Sequence, residues 1–315
     1  MEIIEKASKV YWDNFNGEAW FGRCIFLSWY CGLGSCKFCY RAINKGHNIN
    51  REKARRSLNS ILVETLLCKK LNWRLEFLTS GYDALDTDEL LEICKEVSRV
   101  YGKKIWLNVG VLSEEDLNKL KRYVGGIVAS IETCNRELHK KICPDKKFEE
   151  YEKMLKIKGF KKGATIVIGL GEKKEDFLKL KNFIEKYKLD KITFYALKPI
   201  RDGFYSEGPD RDYYAWWIAN TRINFPKLEI MAGVTVKRVE DVDILLKAGA
   251  NGITKFPITK CFGSEKTQLF EELVKKSGRK MTSKLNDFEG VDFSDVDEDI
   301  KEKLEIYLNK MGKKI

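Results

Sequence analysis

Histidine, proline and long apolar runs are scarce in this sequence. Its 315 residues include only two histidines, His47 and His139, and five prolines. A zinc site built from paired cysteines and histidines lacks ligands, because a single Cys-x2-Cys pair accompanies those histidines. No apolar stretch approaches the roughly 20 residues that a membrane helix needs, and the acidic start over residues 1–5 is unlike a signal peptide. We therefore expect a cytoplasmic protein with no membrane partner.

Positive charge is in excess, but it does not form a nucleic-acid-binding pattern. The net charge is +11, and the lysines are interspersed with glutamates along most predicted helices. The sequence has no zinc-finger, helix-turn-helix or RNA-binding motif to accompany them. A solvated, lysine-rich surface explains this charge, and we expect no nucleic-acid partner.

Three cysteines lie close together in the segment Cys31-Gly-Leu-Gly-Ser-Cys36-Lys-Phe-Cys39. The segment follows an apolar run over residues 24–30, which predicts a buried strand leading into a glycine-containing loop. Thiolates at this density suit an iron–sulfur cluster or zinc. The alternatives are a zinc knuckle, which needs a fourth protein ligand, a redox-active Cys36/Cys39 pair, and simple buried cysteines. The odd total of nine cysteines is unlike a secreted disulfide framework and indicates a reducing compartment.

Short apolar segments alternate with helical segments through most of the chain. Strands are predicted at residues 24–30, 74–80, 104–109, 126–132, 164–168, 191–197, 228–231 and 251–256. Helices are predicted after them at residues 50–70, 87–101, 113–123, 147–157, 173–187, 210–222, 237–248 and 264–276. Eight β-then-α units predict an α/β fold, a (β/α)8 TIM-type barrel in a single domain. We place a helical N-terminal lead-in at 1–22, the barrel at 23–280, and a C-terminal tail with a closing helix at 281–315.

Glycine and polar residues stand at the ends of several predicted strands. Active sites of such barrels lie at the carboxyl ends of the strands, where the cysteine loop also falls. Ser80 and Gly81 follow the second strand, Ser130 and Glu132 end the fourth, and Gly169 follows the fifth. Ser130 and Glu132 are two residues apart, so we expect them to point the same way into the barrel. Ordinary βα turns, or a helix-capping or surface carboxylate, are the alternatives.

The cysteine loop resembles that of the radical S-adenosylmethionine (radical SAM) enzymes. In that family a Cys-x3-Cys-x-aromatic-Cys motif holds a [4Fe-4S] cluster, and S-adenosylmethionine (SAM) binds the fourth iron. Cys31, Cys36 and Cys39 match the three cysteines, and Phe38 fills the aromatic position. The first gap here has four residues instead of three, and a glycine-rich loop can absorb the extra one.

The resemblance implies an enzyme that works anaerobically and takes an electron from ferredoxin or flavodoxin. It would cleave SAM reductively to a 5′-deoxyadenosyl radical, which abstracts hydrogen from a small-molecule substrate inside the barrel. The cluster and SAM would carry the chemistry, while the protein binds and orients them.

The same resemblance implies roles for residues around the barrel rim. The segment after the second strand would bind the amino group of SAM, and Glu132 the ribose. Lys146 would pair with the SAM carboxylate where the family uses an arginine. A lysine makes this contact as a point charge and cannot form the bidentate contact of a guanidinium group. The residues implied to contact SAM are Phe38, Tyr40, Ser80, Gly81, Ser130, Glu132, Lys146, Gly169 and Leu170. Candidates for substrate contact are Asn108, Tyr195 and Lys198.

The resemblance narrows to the biotin synthase-like branch. Biotin synthase itself is not expected, because Trp106, Gly163 and Val234 stand where that enzyme holds a second cluster. The lead-in over residues 26–30 and the long first gap are most like the HcgA (HmdB) proteins, although their gap usually has five residues. Those proteins are associated with making the iron-guanylylpyridinol (FeGP) cofactor of [Fe]-hydrogenase. The rivals are another lyase or mutase of this branch and a non-enzymatic zinc- or iron–sulfur-binding scaffold.

Overall fold

A closed barrel of eight parallel strands forms the centre of the chain in the computed structural model, which describes residues 2–45, 49–201 and 203–312. The strands are β1 (Glu18–Phe26), β2 (Arg74–Thr79), β3 (Ile105–Asn108), β4 (Val124–Glu132), β5 (Lys161–Ile168), β6 (Lys191–Ala196), β7 (Glu229–Gly233) and β8 (Gly252–Thr254). Consecutive strands pair in parallel, and β1 pairs with both β2 and β8, which closes the barrel. This confirms the predicted (β/α)8 fold.

Helices surround the barrel. They are α1 (Glu2–Trp12), α2 (Tyr40–Lys45), α3 (Leu58–Lys70), α4 (Thr87–Tyr101), α5 (Glu114–Leu120), α6 (Arg136–Ile142), α7 (Phe148–Met154), α8 (Phe177–Tyr187), α9 (Arg211–Asn224), α10 (Val242–Lys247), α11 (Ile258–Cys261), α12 (Glu265–Lys276) and α13 (Glu298–Lys310). A short strand, β9 (Lys280–Met281), pairs with the start of β1 outside the barrel. Among the described residues, none of these helices is long and apolar enough to cross a membrane.

Local sequence signals explain why helix α4 begins and ends where predicted. Helix α4 starts after Asp86, whose side chain accepts a hydrogen bond from Glu89 N at 2.9 Å while Glu89 bonds back to Asp86 N. This reciprocal capping satisfies two of the backbone groups left free at a helix start. The helix ends at Gly102 with φ 78°, a left-handed conformation that glycine adopts at little cost. These signals are local, so the predicted range 87–101 is confirmed.

The first strand differs most from its prediction. It runs over Glu18–Phe26 and not over 24–30, because the aromatic segment assigned to the lead-in is part of the sheet. Trp20 and Phe21 pair with β8 and are almost fully buried. The helix predicted at 50–70 begins only after Ser57, whose hydroxyl caps it. Helices α2, α6 and α11 and strand β9 were not predicted, because elements this short carry little periodic signal.

A buried ion cluster ties the closing helix to the barrel. Glu64 of α3 accepts hydrogen bonds from Arg23 of β1 at 2.6 Å and from Arg56 at 2.7 Å. Tyr307 of α13 bonds to both Arg56 and Glu64. Burial raises the pKa of Glu64, but the two guanidinium groups outweigh burial and leave it below its usual value. The carboxylate therefore stays charged and links α3, β1 and α13.

Candidate functional site

The cysteine loop lies at the carboxyl end of β1 and is fixed to the loop after β2 and to the end of α6. Gly32 N donates to the carbonyl oxygen of Tyr82 at 2.8 Å, and Lys37 N donates to that of Ile142 at 2.9 Å. Gly34 has φ 54°, which lies in the left-handed region where glycine is favoured. The four-residue first gap therefore contains a residue suited to turning the chain.

The loop cysteines are free, half-buried thiols. Cys39 N donates to Cys36 O at 3.0 Å, so these two cysteines share one turn. Burial raises the pKa of Cys39. A hydrogen bond with the buried thiol of Cys143 lowers the pKa of Cys36, against the opposing effect of burial.

The donor set fits a cluster better than a single ion. Within the part of the chain that the structure describes, no three cysteine, histidine, aspartate or glutamate side chains converge as one metal ion would require. A four-iron cluster takes each thiolate on a different iron, so its ligands surround it at a greater distance from one another than the ligands of a single ion. Three free thiols on one tethered loop, at the rim where barrel enzymes act, match that requirement.

The loop after β2 packs directly against the first cysteine. A Cβ atom on Gly81 would lie 2.3 Å from Tyr30 O and 2.5 Å from the Cβ of Cys31, so a side chain does not fit there. Ser80 N donates to Asn108 O at 3.3 Å, and its hydroxyl donates to Gly81 O at 3.0 Å. The predicted Ser-Gly segment therefore lies beside the cysteine loop, with β3 on its other side.

Two residues predicted to contact different parts of SAM form one buried ion pair. Lys146 Nζ lies 2.6 Å from Glu132 Oε1 and donates to Ser130 O at 2.6 Å. Both side chains of the pair are more than 90% buried. Burial lowers the pKa of Lys146, but the Glu132 carboxylate outweighs burial and leaves it well above its usual value. Lys146 is therefore charged and bound to Glu132.

The end of β4 is not a regular strand. The pairing with β5 shifts register between Ser130 and Glu132, and Glu132 has φ 63°, which is rare for a residue other than glycine. The alternation from which we expected the two side chains to point the same way is interrupted there. They remain linked, because Lys146 bonds to both residues and the Ser130 hydroxyl donates to Asn108 Oδ1.

The turn after β5 is held by a carboxylate of its own chain. Glu172 accepts hydrogen bonds from Gly169 N at 2.7 Å and Leu170 N at 2.8 Å. Gly169 and Gly171 have φ of 103° and 108°, which glycine adopts at little cost. The Leu170 side chain belongs to a small apolar cluster that Phe38 also joins. The turn after β5, which was predicted to contact SAM, and the cysteine loop therefore share one apolar patch.

The lumen of the barrel contains a polar group that sequence reasoning missed. The Cys24 thiol lies 3.2 Å from Glu76 Oε2, and Thr193 donates to Glu76 Oε1 at 2.6 Å. Thr254 and the predicted Tyr195 complete the group, at 3.4 and 3.8 Å from Cys24 Sγ. The sequence signal that could have indicated this lumen group was the presence of polar residues inside otherwise apolar strands. Of the other predicted residues, Lys198 is exposed two residues beyond β6, and Tyr40 is half-buried at the start of α2.

Sequence comparison shows which family this chain belongs to. The Radical SAM superfamily matches residues 27–184, half of the chain, and the chain is a member of it. It is 37% identical over 295 residues to the uncharacterized protein MJ0597 of Methanocaldococcus jannaschii, covering 92% of this chain and 82% of that one. It is 26% identical over 206 residues to biotin synthase of a Sulfurihydrogenibium species, covering 64% of this chain and 62% of that enzyme.

Comparison with solved structures supports the same fold. The crystal structure of methylornithine synthase (PylB) matches with a TM-score of 0.70 at 20% identity, covering 97% of this chain and 87% of that one. Radical SAM enzymes use a [4Fe-4S] cluster and SAM, act on small-molecule substrates and need a reductant. This chain is therefore a radical SAM enzyme with a single (β/α)8 barrel.

The Glu132–Lys146 pair leads to a testable stability difference. Replacing Lys146 by methionine leaves a buried carboxylate without its partner, so K146M should lower the free energy of unfolding by about 3 kcal/mol. The adjacent Lys147 has a side chain that is 73% exposed, so K147M should change it by less than about 0.5 kcal/mol. The double variant E132Q/K146M should lose less than K146M, since neither charge remains. Urea unfolding measures all three, and equal stability of K146M and K147M would contradict the pairing.

Proposed function

We propose that Cys31, Cys36 and Cys39 hold the [4Fe-4S] cluster of this radical SAM enzyme. The observation that carries the proposal is the position of three free thiols on a loop fixed at the carboxyl end of β1. When bound, the cluster and SAM supply a 5′-deoxyadenosyl radical by one-electron reductive cleavage. The chain supplies three soft thiolate ligands and a rim that positions SAM.

We assign the SAM contacts to four loops around that rim. The backbone of Ser80 and Gly81 is available to the amino group beside the cysteine loop. Glu132 accepts the ribose hydroxyls, because a carboxylate is an acceptor-only group suited to two hydroxyl donors. Lys146 holds the Glu132 carboxylate in place through their 2.6 Å contact, and it shares its charge with the SAM carboxylate.

The remaining SAM contacts are apolar. Gly169 and Leu170 border the adenine, and Phe38 and Tyr40 cover the cluster side. The turn that carries Gly169 is fixed by Glu172, so its backbone is ordered before a ring approaches it. Asn108, Tyr195 and Lys198 are the substrate-facing candidates, on β3 and at the end of β6. The apolar residues of this patch would exclude water from the bound cofactor.

The scaffold alternative requires a fourth protein ligand, and Cys143 is the thiol placed to be one. It is fully buried at the end of α6, in the small apolar cluster against which Cys36 packs. In our proposal it is a structural neighbour of Cys36, and the fourth iron stays open to SAM. A scaffold would instead use it to close the site.

Alanine variants of these four cysteines separate the two functions. The wild type should hold about four irons per chain after anaerobic reconstitution. The variants C31A, C36A and C39A should lose most of that iron and should form no 5′-deoxyadenosine. C143A should keep both its iron and its SAM cleavage, and it serves as the matched control. Iron assay and mass spectrometry of 5′-deoxyadenosine measure the outcomes. Loss of iron in C143A, or full SAM cleavage by a folded C36A, would contradict the assignment.

We further propose that the enzyme acts in FeGP cofactor biosynthesis, at the stage that forms the pyridinol. Support comes from the expanded first gap of the cysteine loop, where Gly34 turns the chain, and from the lead-in before Cys31. Ferredoxin or flavodoxin is the proposed electron donor, and the cytoplasm the proposed location. The second candidate is a lyase or mutase, favoured by the PylB match over 97% of this chain.

Complementation distinguishes these two pathways. The chain should restore guanylylpyridinol, measured by mass spectrometry, in a strain that makes [Fe]-hydrogenase but lacks its own enzyme for this step. The C36A variant should not restore it. Failure of a wild-type chain that cleaves SAM in vitro would reject the FeGP pathway, favour the lyase or mutase, and leave the radical SAM assignment intact.

A further inference from the structure

Lys255 occupies an unusual backbone position at the barrel rim. It directly follows β8 and has φ 68°, in the left-handed region that a lysine rarely adopts. Residues held in such conformations cost free energy and are concentrated at functional sites. The residues on either side, Thr254 and Phe256, are almost fully buried, so the surrounding fold imposes this conformation.

The Lys255 side chain stands in the mouth of the barrel. Lys255 is exposed to solvent at its surface, but protein surrounds much of its side chain. Desolvation by that surrounding protein is the largest cause of its lowered pKa. Its ammonium lies 5.1 Å from the ring centre of Tyr195. Cys39 and Glu132 are close enough for their charges to raise its pKa. Lys255 therefore lies beside Tyr195 of the lumen group, at the rim of the barrel that also carries the cysteine loop.

The other lysines close to the barrel interior have partners. Lys146 binds Glu132, and Lys191 donates to Glu76 O at 3.2 Å and lies 4.1 Å from the ring centre of Trp106. Among residues 2–45, 49–201 and 203–312, neither Lys255 nor Lys198 has a carboxylate within 4.0 Å. Lys198, at the end of β6, is near enough to lower the pKa of Lys255 further. Lys198 and Lys255 thus follow β6 and β8 at the same rim of the barrel, and neither has a counter-ion in the described chain.

We propose that Lys198 and Lys255 bind an oxyanionic group of the substrate, a carboxylate or a phosphate. This inference rests on the proposed function, because it concerns the substrate of that same site. Ammonium groups at one rim that have no protein counter-ion attract and orient an anion. The rest of the substrate would then extend toward Tyr195 and the lumen group of Cys24 and Glu76, whose hydroxyl, thiol and carboxylate can contact polar atoms. A wholly apolar or cationic substrate would not suit this mouth.

Anion binding to the reconstituted holoenzyme, saturated with SAM and without reductant, tests the inference. The probes are inorganic phosphate and succinate, followed by isothermal titration calorimetry. The wild type should bind about one equivalent of at least one probe, and K255M should lower that affinity at least about tenfold. K198M should weaken binding as well. K227M is the control, because Lys227 is an exposed lysine just before β7, at the opposite end of the barrel, and should leave binding unchanged.

A second variant at the same position keeps the test independent of folding. K255G removes the charge and the strained side chain together, so it should raise the midpoint of thermal unfolding while losing the anion. A structural role for Lys255 would not produce that combination. Binding of phosphate alone would indicate a phosphorylated substrate, and binding of succinate alone would indicate a carboxylic acid.

Three results would overturn the inference. They are no saturable binding of either probe to the wild type, unchanged affinity in K255M and K255G, and displacement of SAM by the probes. Displacement would mean that the lysines hold the SAM carboxylate. SAM cleavage to 5′-deoxyadenosine is measured separately. If cleavage persists and no probe binds, only this inference fails, whereas absent cleavage rejects the proposed function whatever the probes do.

Discussion

The pairing of β1 with both β2 and β8 is the constraint on which the rest of the structure depends. Because all eight strands are parallel, this closure brings their carboxyl ends to one rim. The cysteine loop after β1, the Ser-Gly segment after β2 and Lys255 after β8 come from distant parts of the chain. Barrel closure makes them neighbours, so the backbone hydrogen bonds of the sheet organise the proposed site.

Residues around that rim are fixed by contacts with one another, without any bound ligand. Glu172 orders the turn after β5, Lys146 holds Glu132, and the Gly81 backbone supports Cys31. Ordered donors and charges need little rearrangement when a ligand binds, and this is how a protein contributes when a cofactor carries the chemistry. The two mouth lysines differ, because no described carboxylate neutralises them.

The sequence predicted the parts of this arrangement that depend on local patterns. Helix α4 follows from its capping residues, and the cysteine loop from its spacing. The early start of β1 was missed because its aromatic residues gain their burial from β8, more than 200 residues away. The Lys146–Glu132 contact and the lumen group of Cys24 and Glu76 depend on register and closure. No local pattern indicates a left-handed lysine at 255, since only the folded barrel imposes it.

The most direct test of the central claim is electron paramagnetic resonance of the reduced, reconstituted protein with and without SAM. If three thiolates from the cysteine loop hold the cluster and leave one iron open, SAM binds that iron and the spectrum of the reduced cluster changes. The C143A variant should show the same change. A spectrum that is identical with and without SAM would mean a cluster closed by protein ligands, and would contradict the account.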